Sequence, residues 1–283
     1  MAITLRRATR DDIPAIRALR LEAGWQAHDW ALFNAMEEPH AAFFVVEEGA
    51  RPVAMGSGIA YGQLGVVGNM VVAGDHRRRG LGTRVLEAVL AFLASRGVGR
   101  VELFATPSGR LLYERHGFAV MAPSGMVELA VTAVRDLATD ATTVREATPA
   151  DLDRIAAYDL PRYGADRSVI LRSALADPDR PLFLATNNGE LVGFAVLRPG
   201  GPRMGPWLAE EPVTAGALAA AATARLPASA VLITSVPGEN TAGWAWFESL
   251  GARIVVSDGR MARGAGIARR LETIYGNTMG ALG

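Results

Sequence analysis

The 283-residue chain has no cysteine and no lysine. Without cysteine there is no disulfide framework, no thiolate metal site and no cysteine nucleophile. Without lysine there is no Schiff-base or pyridoxal chemistry and no Gly-Lys-Ser/Thr phosphate loop. All 29 basic residues are therefore arginine, and 29 acidic residues balance them to a net charge of zero. A general nucleic-acid binder carries a basic excess, so that class is disfavoured. No apolar run approaches the roughly 18 residues of a membrane span; the alanine-rich stretch 215–222 is far shorter. The opening residues MAITLRRATRDD lack the apolar core of a secretory signal. These absences lead us to expect a cytoplasmic protein with no membrane and no nucleic-acid partner. What is present is half apolar and one-fifth charged, a globular composition with material for a sizeable core.

The sequence repeats itself. LRRATRDDIPAI (5–16) aligns with VREATPADLDRI (144–155) at an offset of 139, with five identities in twelve. RPVAMGSGIA (51–60) and ELVGFAVLRP (190–199) keep that offset, and YERHGF (113–118) matches FESLGA (247–252) at 134. The order of matches is preserved, which is the signature of a duplicated domain. The turn-prone segment LATDATT (137–143) marks the join, so the expected domains are 1–138 and 142–283. In the first half the pattern predicts strands at 3–7, 42–48, 52–61, 66–73, 100–105, near 118–121 and at 126–133. Helices are expected at 11–23, 27–36, from 81 onward and at 109–116. Hairpins followed by a strand–loop–helix–strand unit give an α+β class with a mixed, mostly antiparallel sheet flanked by helices in each half.

The stretch HRRRGLGTRVLEAVLAFLASRG (76–97) sets three arginines and two glycines before an amphipathic run. A β-branched strand ends at Val72, and from Leu81 the apolar residues fall at 81, 85, 88, 89, 92 and 93. The loop therefore delivers the chain to a helix N-terminus, where the first amides lack partners and carry the positive end of the dipole. Gly80 and Gly82 let an anion approach those amides, and Arg77, Arg78 and Arg79 add charge suited to phosphate oxygens. A pyrophosphate seat is the direct reading. A dinucleotide fingerprint would need a third glycine where Val85 stands.

Arg-x-x-Gly-x-Gly (Arg77, Gly80, Gly82) after a strand, together with VELFATPSGRLLYERHGF (101–118), resembles the GNAT N-acetyltransferase superfamily. The resemblance implies two tandem acyl-CoA N-acyltransferase folds, and acetyl-CoA as co-substrate with no metal. It also implies direct attack of an amine acceptor, a small molecule or a peptide, on the thioester. It places the CoA site on Met70, Val71, Val72, Arg77, Arg78, Arg79, Gly80, Leu81, Gly82 and Thr83, with a main-chain N–H of 70–72 facing the oxyanion. It makes Tyr113 the general acid that protonates the leaving thiolate. The alternative is a non-catalytic acyl-CoA-binding or regulatory module. Oligomeric state is not legible.

The second half departs from the pattern where chemistry matters. WLAEEPVTAGALAAAATARL (207–226) has Glu210 and Glu211 where phosphate would sit, and Phe247 stands at the position of Tyr113. We expect that half to lack a CoA site and to serve the acceptor pocket or the structure. Trp207, Trp244, Trp246 and Phe247 read mainly as core. For the acceptor side, WQAHDW (25–30) offers Trp25, His28 and Asp29. The general base stays open among Glu22, His28, Asp29, His76, His116 and a water chain. His116 is expected to serve the end of its helix, and His76 to be a surface or phosphate contact.

Overall fold

The computed structural model describes residues 2–25, 36, 38–135, 137, 142–198 and 202–278. The helix read over 27–36 therefore lies outside the described residues except for Met36, which is in a turn.

The chain forms two compact units, and they do not coincide with the halves of the sequence. One comprises Met1–Val120 with Met261–Ile267; the other comprises Met121–Arg260 with Ala268–Met279. Each is a mixed sheet flanked by helices.

In the first unit, β1 (Ile3–Arg7), β2 (Ala41–Glu48), β3 (Arg51–Tyr61) and β4 (Leu64–Val72) pair antiparallel in sequence order. β5 (Arg100–Phe104) then lies parallel to β4, as a crossover through a helix requires. That helix, α1 being Ile13–Glu22, is α2 (Leu81–Ser95). It buries Leu81, Val85, Leu86, Val89 and Leu93, the stripe read from the sequence. A short helix α3 (Arg110–Glu114) follows β5, and β6 (Ala119–Val120) closes the run. The sheet is completed by a strand from far along the chain, Arg260–Gly264, which lies between β5 and β6.

The second unit takes its first strand from before the expected join. β7 (Ser124–Ala130) sits between Val231–Pro237 (β12) and Arg253–Ser257 (β13), antiparallel to both. The strand expected over 126–133 is thus displaced: β7 ends at Ala130, and Thr132–Arg135 forms a helical turn, α4. From β7 the sheet runs through β12, β11 (Arg203–Ala209), β10 (Glu190–Arg198), β9 (Leu182–Asn187) and β8 (Thr143–Glu146). The strand Arg260–Gly264 is β14 in chain order, and β15 (Ile274–Gly276) pairs with β11.

Alternation along β10 builds two cores, because successive side chains face opposite ways. Phe194 and Val196 pack with α5 (Leu152–Tyr163) and α6 (Ser168–Leu175); Ala195 and Leu197 face the opposite cluster. That cluster includes α7 (Pro212–Thr223), whose small alanines are buried from Ala215 to Ala222 with few exceptions. It also includes α8 (Thr241–Ser249) through Phe247, and the fully buried Trp207 meets Trp246, Phe247 and Tyr275 edge-on or tilted. The core role expected of Trp207 and Phe247 is what the structure shows, while Trp244 and Trp246 are partly buried against the same cluster.

Candidate functional site

β4 carries an irregularity that opens the site. Met55 pairs with Val71 and Ser57 with Gly68, so Gly56 alone opposes Asn69 and Met70. Such a bulge bends its strand. Asn69 takes a left-handed conformation (φ 55°), and its buried Nδ2 donates to Ser57 Oγ at 2.8 Å. Gly56 is required by close approach: a Cβ there would collide with Met70 Sδ and lie 2.5 Å from Val85 Cγ1. The β4–β5 pairing stops at Val67 and Leu103, although β4 continues to Val72. Beyond the bulge the two strands part, and the β4 edge over 68–72 is left without β5.

From Val72 the chain turns through Gly74–His76 into the arginine loop. Arg77 Nε donates to Val72 O at 3.2 Å, and Gly74 N donates to Glu22 Oε1 at 3.0 Å. Arg78 and Gly80 both have positive φ, 64° and 76°. Gly80 is the N-cap of α2, and its carbonyl takes the first helical bond from Arg84 N. The amides of Leu81, Gly82 and Thr83 precede that bond, and no side chain caps them. Gly82 is different from Gly80. Its φ is ordinary, and a Cβ would meet Leu112 and Val72 only at contact distances of 3.5 and 3.6 Å. Nothing in the protein's own packing requires glycine there.

One cavity of about 970 Å³ gathers most of the residues singled out from the sequence. Met70, Val71, Val72, Arg77, Arg78, Gly80, Leu81, Gly82, Thr83 and Tyr113 all line it, and so does Trp25. Arg79 does not; its Nη2 donates to Glu48 Oε1 at 3.0 Å. His28 and Asp29 lie outside the described residues. The sequence reading passed over Thr106, Ser108 and Arg115, which also line the cavity. The available signal was the small polar run Thr-Pro-Ser-Gly between β5 and α3, where Thr106 Oγ1 lies 3.1 Å from Ser108 Oγ.

Tyr113 stands in α3, 6% exposed, with its ring edge-on to Phe118 at 6.0 Å. Among the described residues nothing hydrogen-bonds its hydroxyl, and burial pushes the phenol up to about 12. His116 Nδ1 donates to Leu112 O at 2.7 Å, which ties the ring to the end of α3 as expected. Of the two roles expected of His76, the surface one does not hold: the ring lines the cavity beside the arginine loop and is buried, 6% exposed. Both of its nitrogens are engaged by carboxylates, Asp75 at 2.6 Å and Glu48 at 2.9 Å. Among the described residues no group of three or more histidine, aspartate or glutamate side chains gathers to hold a metal ion, and no helix is long and apolar enough to cross a membrane.

In the second unit the corresponding strand end and helix start are built otherwise. Glu210, after β11, receives Arg162 Nε at 3.0 Å, Arg270 Nη2 at 2.9 Å and the Tyr158 hydroxyl at 3.3 Å. Burial opposes its ionisation, but Arg162 and Arg270 outweigh that and hold the carboxyl below its ordinary range. The helix α7 begins with Pro212, which has no N–H to offer.

Comparison with known proteins agrees with this architecture. Residues 10–118 match the model of the acetyltransferase (GNAT) family, and residues 155–276 match that of an acetyltransferase (GNAT) domain. The uncharacterized N-acetyltransferase YitH of Bacillus subtilis (strain 168) is 27% identical over 153 residues. That match takes in 53% of this chain and spans about half, 52%, of the relative. A crystal structure from Pyrococcus horikoshii, assigned as an acetyltransferase, superposes with a TM-score of 0.84 at 22% identity, covering 99% of this chain and 96% of that one. A tandem GNAT protein from the clavulanic acid biosynthesis pathway gives 0.67 at 16% identity, covering 94% and 99%. With both matched segments on one chain, the protein belongs to the GNAT acetyltransferase family and carries two GNAT domains in tandem.

Proposed function

We propose that the protein is an acetyl-CoA-dependent N-acetyltransferase whose reaction takes place in the cavity between β4 and α3. The observation that carries this reading is the conjunction, in one cavity, of an uncapped helix start, two arginines and a buried tyrosine. The residues suit a pyrophosphate-bearing ligand. Free amides of Leu81, Gly82 and Thr83 supply oriented donors, and Arg77 and Arg78 supply permanent charge. Gly82 leaves the approach open although the fold does not demand it.

Acetyl-CoA brings an acetyl thioester, the electrophile for an amine. The chain's own residues hold and assist. The edge of β4 over 68–72, freed from β5 by the bulge, offers main-chain groups to an extended arm, and a Met70–Val72 N–H suits a developing oxyanion. Tyr113 stays protonated through the whole physiological range, because burial disfavours its phenolate. It is therefore a proton donor for a leaving thiolate rather than a base. Its place in the same cavity favours an enzyme over a module that only binds acyl-CoA. The acceptor is an amine, from a small molecule or a peptide. Incubation with acetyl-CoA and a panel of amines, following free thiol, tests the reading: acceptor-dependent thiol release supports it, and binding of CoA without release to any amine favours the binding module.

A further inference from the structure

The reaction proposed above leaves His76 unused, although the ring lines the cavity one residue before Arg77. Its side chain is 7% exposed and lies between two carboxylates, Asp75 Oδ1 at Nδ1 (2.6 Å) and Glu48 Oε2 at Nε2 (2.9 Å). An ionised carboxylate only accepts hydrogen bonds. Both contacts are satisfied together only when both ring nitrogens carry hydrogen, that is, as the imidazolium. A neutral ring turns a lone pair toward one carboxylate.

The charged neighbours come from four elements. Asp75, in the same turn, is also 3.7 Å from Arg51 Nη1 at the start of β3. Glu48, at the end of β2, is also held by Arg79. Arg77 and Arg78 follow in the loop, and Glu22 at the end of α1 receives the amide of Gly74. Of these the two carboxylates touch the ring. Glu48 first and Asp75 second raise the His76 pKa above its ordinary value, and the ring in turn lowers both of theirs.

The ring joins the loop to β2, which the chain otherwise left 28 residues earlier. Two residues on, Arg78 holds a left-handed backbone that a non-glycine residue keeps only when its surroundings fix it. We infer that His76 is the positioning residue of the arginine loop: its imidazolium, clamped by Glu48 and Asp75, holds Arg77, Arg78 and Gly80 in place for a pyrophosphate. The inference rests on the CoA reading for its ligand and on the structure alone for the clamp. Because the clamp needs the charged ring, it is present at low pH and is lost as pH rises through the His76 pKa.

The test combines a ring titration with a binding titration. Dephospho-CoA is the probe, since it keeps the pyrophosphate but lacks the phosphomonoester that itself titrates near neutrality. Its affinity for the full chain is measured by calorimetry from about pH 6 to pH 9, the span over which a raised histidine loses its proton. Affinity of the wild type should fall with rising pH by about tenfold, a coupling of ordinary size between ligand and proton, because the pyrophosphate favours the loop that the charged ring holds. His76→Gln should bind weakly and with no such fall. Glu48→Gln, which keeps the shape and removes one charge, should move the fall to lower pH. The His76 ring followed by NMR in the free protein should titrate above an exposed histidine. A ring that titrates at or below the ordinary value overturns the clamp whatever the ligand does. A binding profile identical in wild type and His76→Gln overturns the positioning role. No binding of dephospho-CoA or CoA by the wild type at any pH overturns instead the CoA reading.

Discussion

Gly80 and Gly82 stand two apart in one motif, yet the structure asks different things of them. Gly80 has a left-handed φ of 76°, so Gly80→Ala strains the helix start by about 1–2 kcal/mol. Gly82 has room for a methyl group, so Gly82→Ala should leave the melting temperature nearly unchanged. Thermal unfolding of the two variants side by side checks this, and equal losses would contradict it. Tyr113→Phe keeps the ring against Phe118 and removes the proton. Turnover should fall by about 10²- to 10⁴-fold with acetyl-CoA affinity preserved. Since burial raises the phenol to about 12, the wild-type rate should show no tyrosine-dependent downturn below about pH 10. A downturn there that vanishes in Tyr113→Phe would contradict the assigned state. Tyr113, on a separate helix, was read from the family resemblance; the glycines and arginines of the loop were legible because they and the helix start are contiguous in the chain. His76 was not, because what defines it is Glu48, a partner brought in by β2. Nor was the role of Arg79, whose partner is that same Glu48.

The first strand and helix of each half share one device, and it explains why that stretch of the repeat was readable. Thr9 and Asp12 form a capping box at the turn before α1, and Thr148 and Asp151 form its counterpart before α5. In each case an arginine of the preceding strand closes on the aspartate. Arg6 reaches Asp12 with two bonds of 2.7 Å, and Arg145 Nη1 reaches Asp151 at 2.9 Å. The repeat offset of 139 survives because arginine, threonine and aspartate must keep their spacing for this geometry. Arg6 first, against the opposing effect of burial, lowers Asp12 from an ordinary 3.8 to about 2, and Arg145 lowers Asp151 in the same way. A depressed carboxyl stabilises the fold above its unfolded pKa, and that contribution is lost as pH falls through the folded one. Stability should therefore drop between about pH 4 and pH 2. Asp12→Asn should flatten part of the drop in acid-unfolding curves, and an unchanged curve would contradict it. At pH 7 the loss of the cap costs about 1 kcal/mol. The strand read over 126–133 fared less well. Alternation alone does not show where β7 stops, and Val131 and Val134 are buried from the following turn rather than from a strand.

At the scale of the whole molecule, the two units share their chain in a way that no local pattern announces. Strand pairing across more than a hundred residues places β7 with the second sheet and β14 with the first, so a cut at the turn-prone join severs both. Residues 1–138 alone lack β14, and residues 142–283 alone leave β13 without β7, the strand it pairs with among the described residues. Each fragment should fail to unfold cooperatively, whereas the two expressed together should reassemble. A sharp, cooperative melt of 1–138 by itself would contradict the pairing. The two strand-to-helix turns differ: the first unit keeps uncapped amides and arginines there, while in the second Glu210 at the strand end is held by two arginines and the helix starts with proline. The presence of Glu210 was plain in the sequence; that Arg162 and Arg270 hold it required the fold. The central claim is a single CoA site at the start of α2, and calorimetric titration of the intact chain with CoA tests it most directly, in the wild type and in Gly82→Asp. The account predicts saturation at about one equivalent per chain, and loss of binding in a Gly82→Asp variant that keeps its fold, because the new carboxylate stands where the phosphates are received. Two equivalents per chain, or undiminished binding in folded Gly82→Asp, would contradict it.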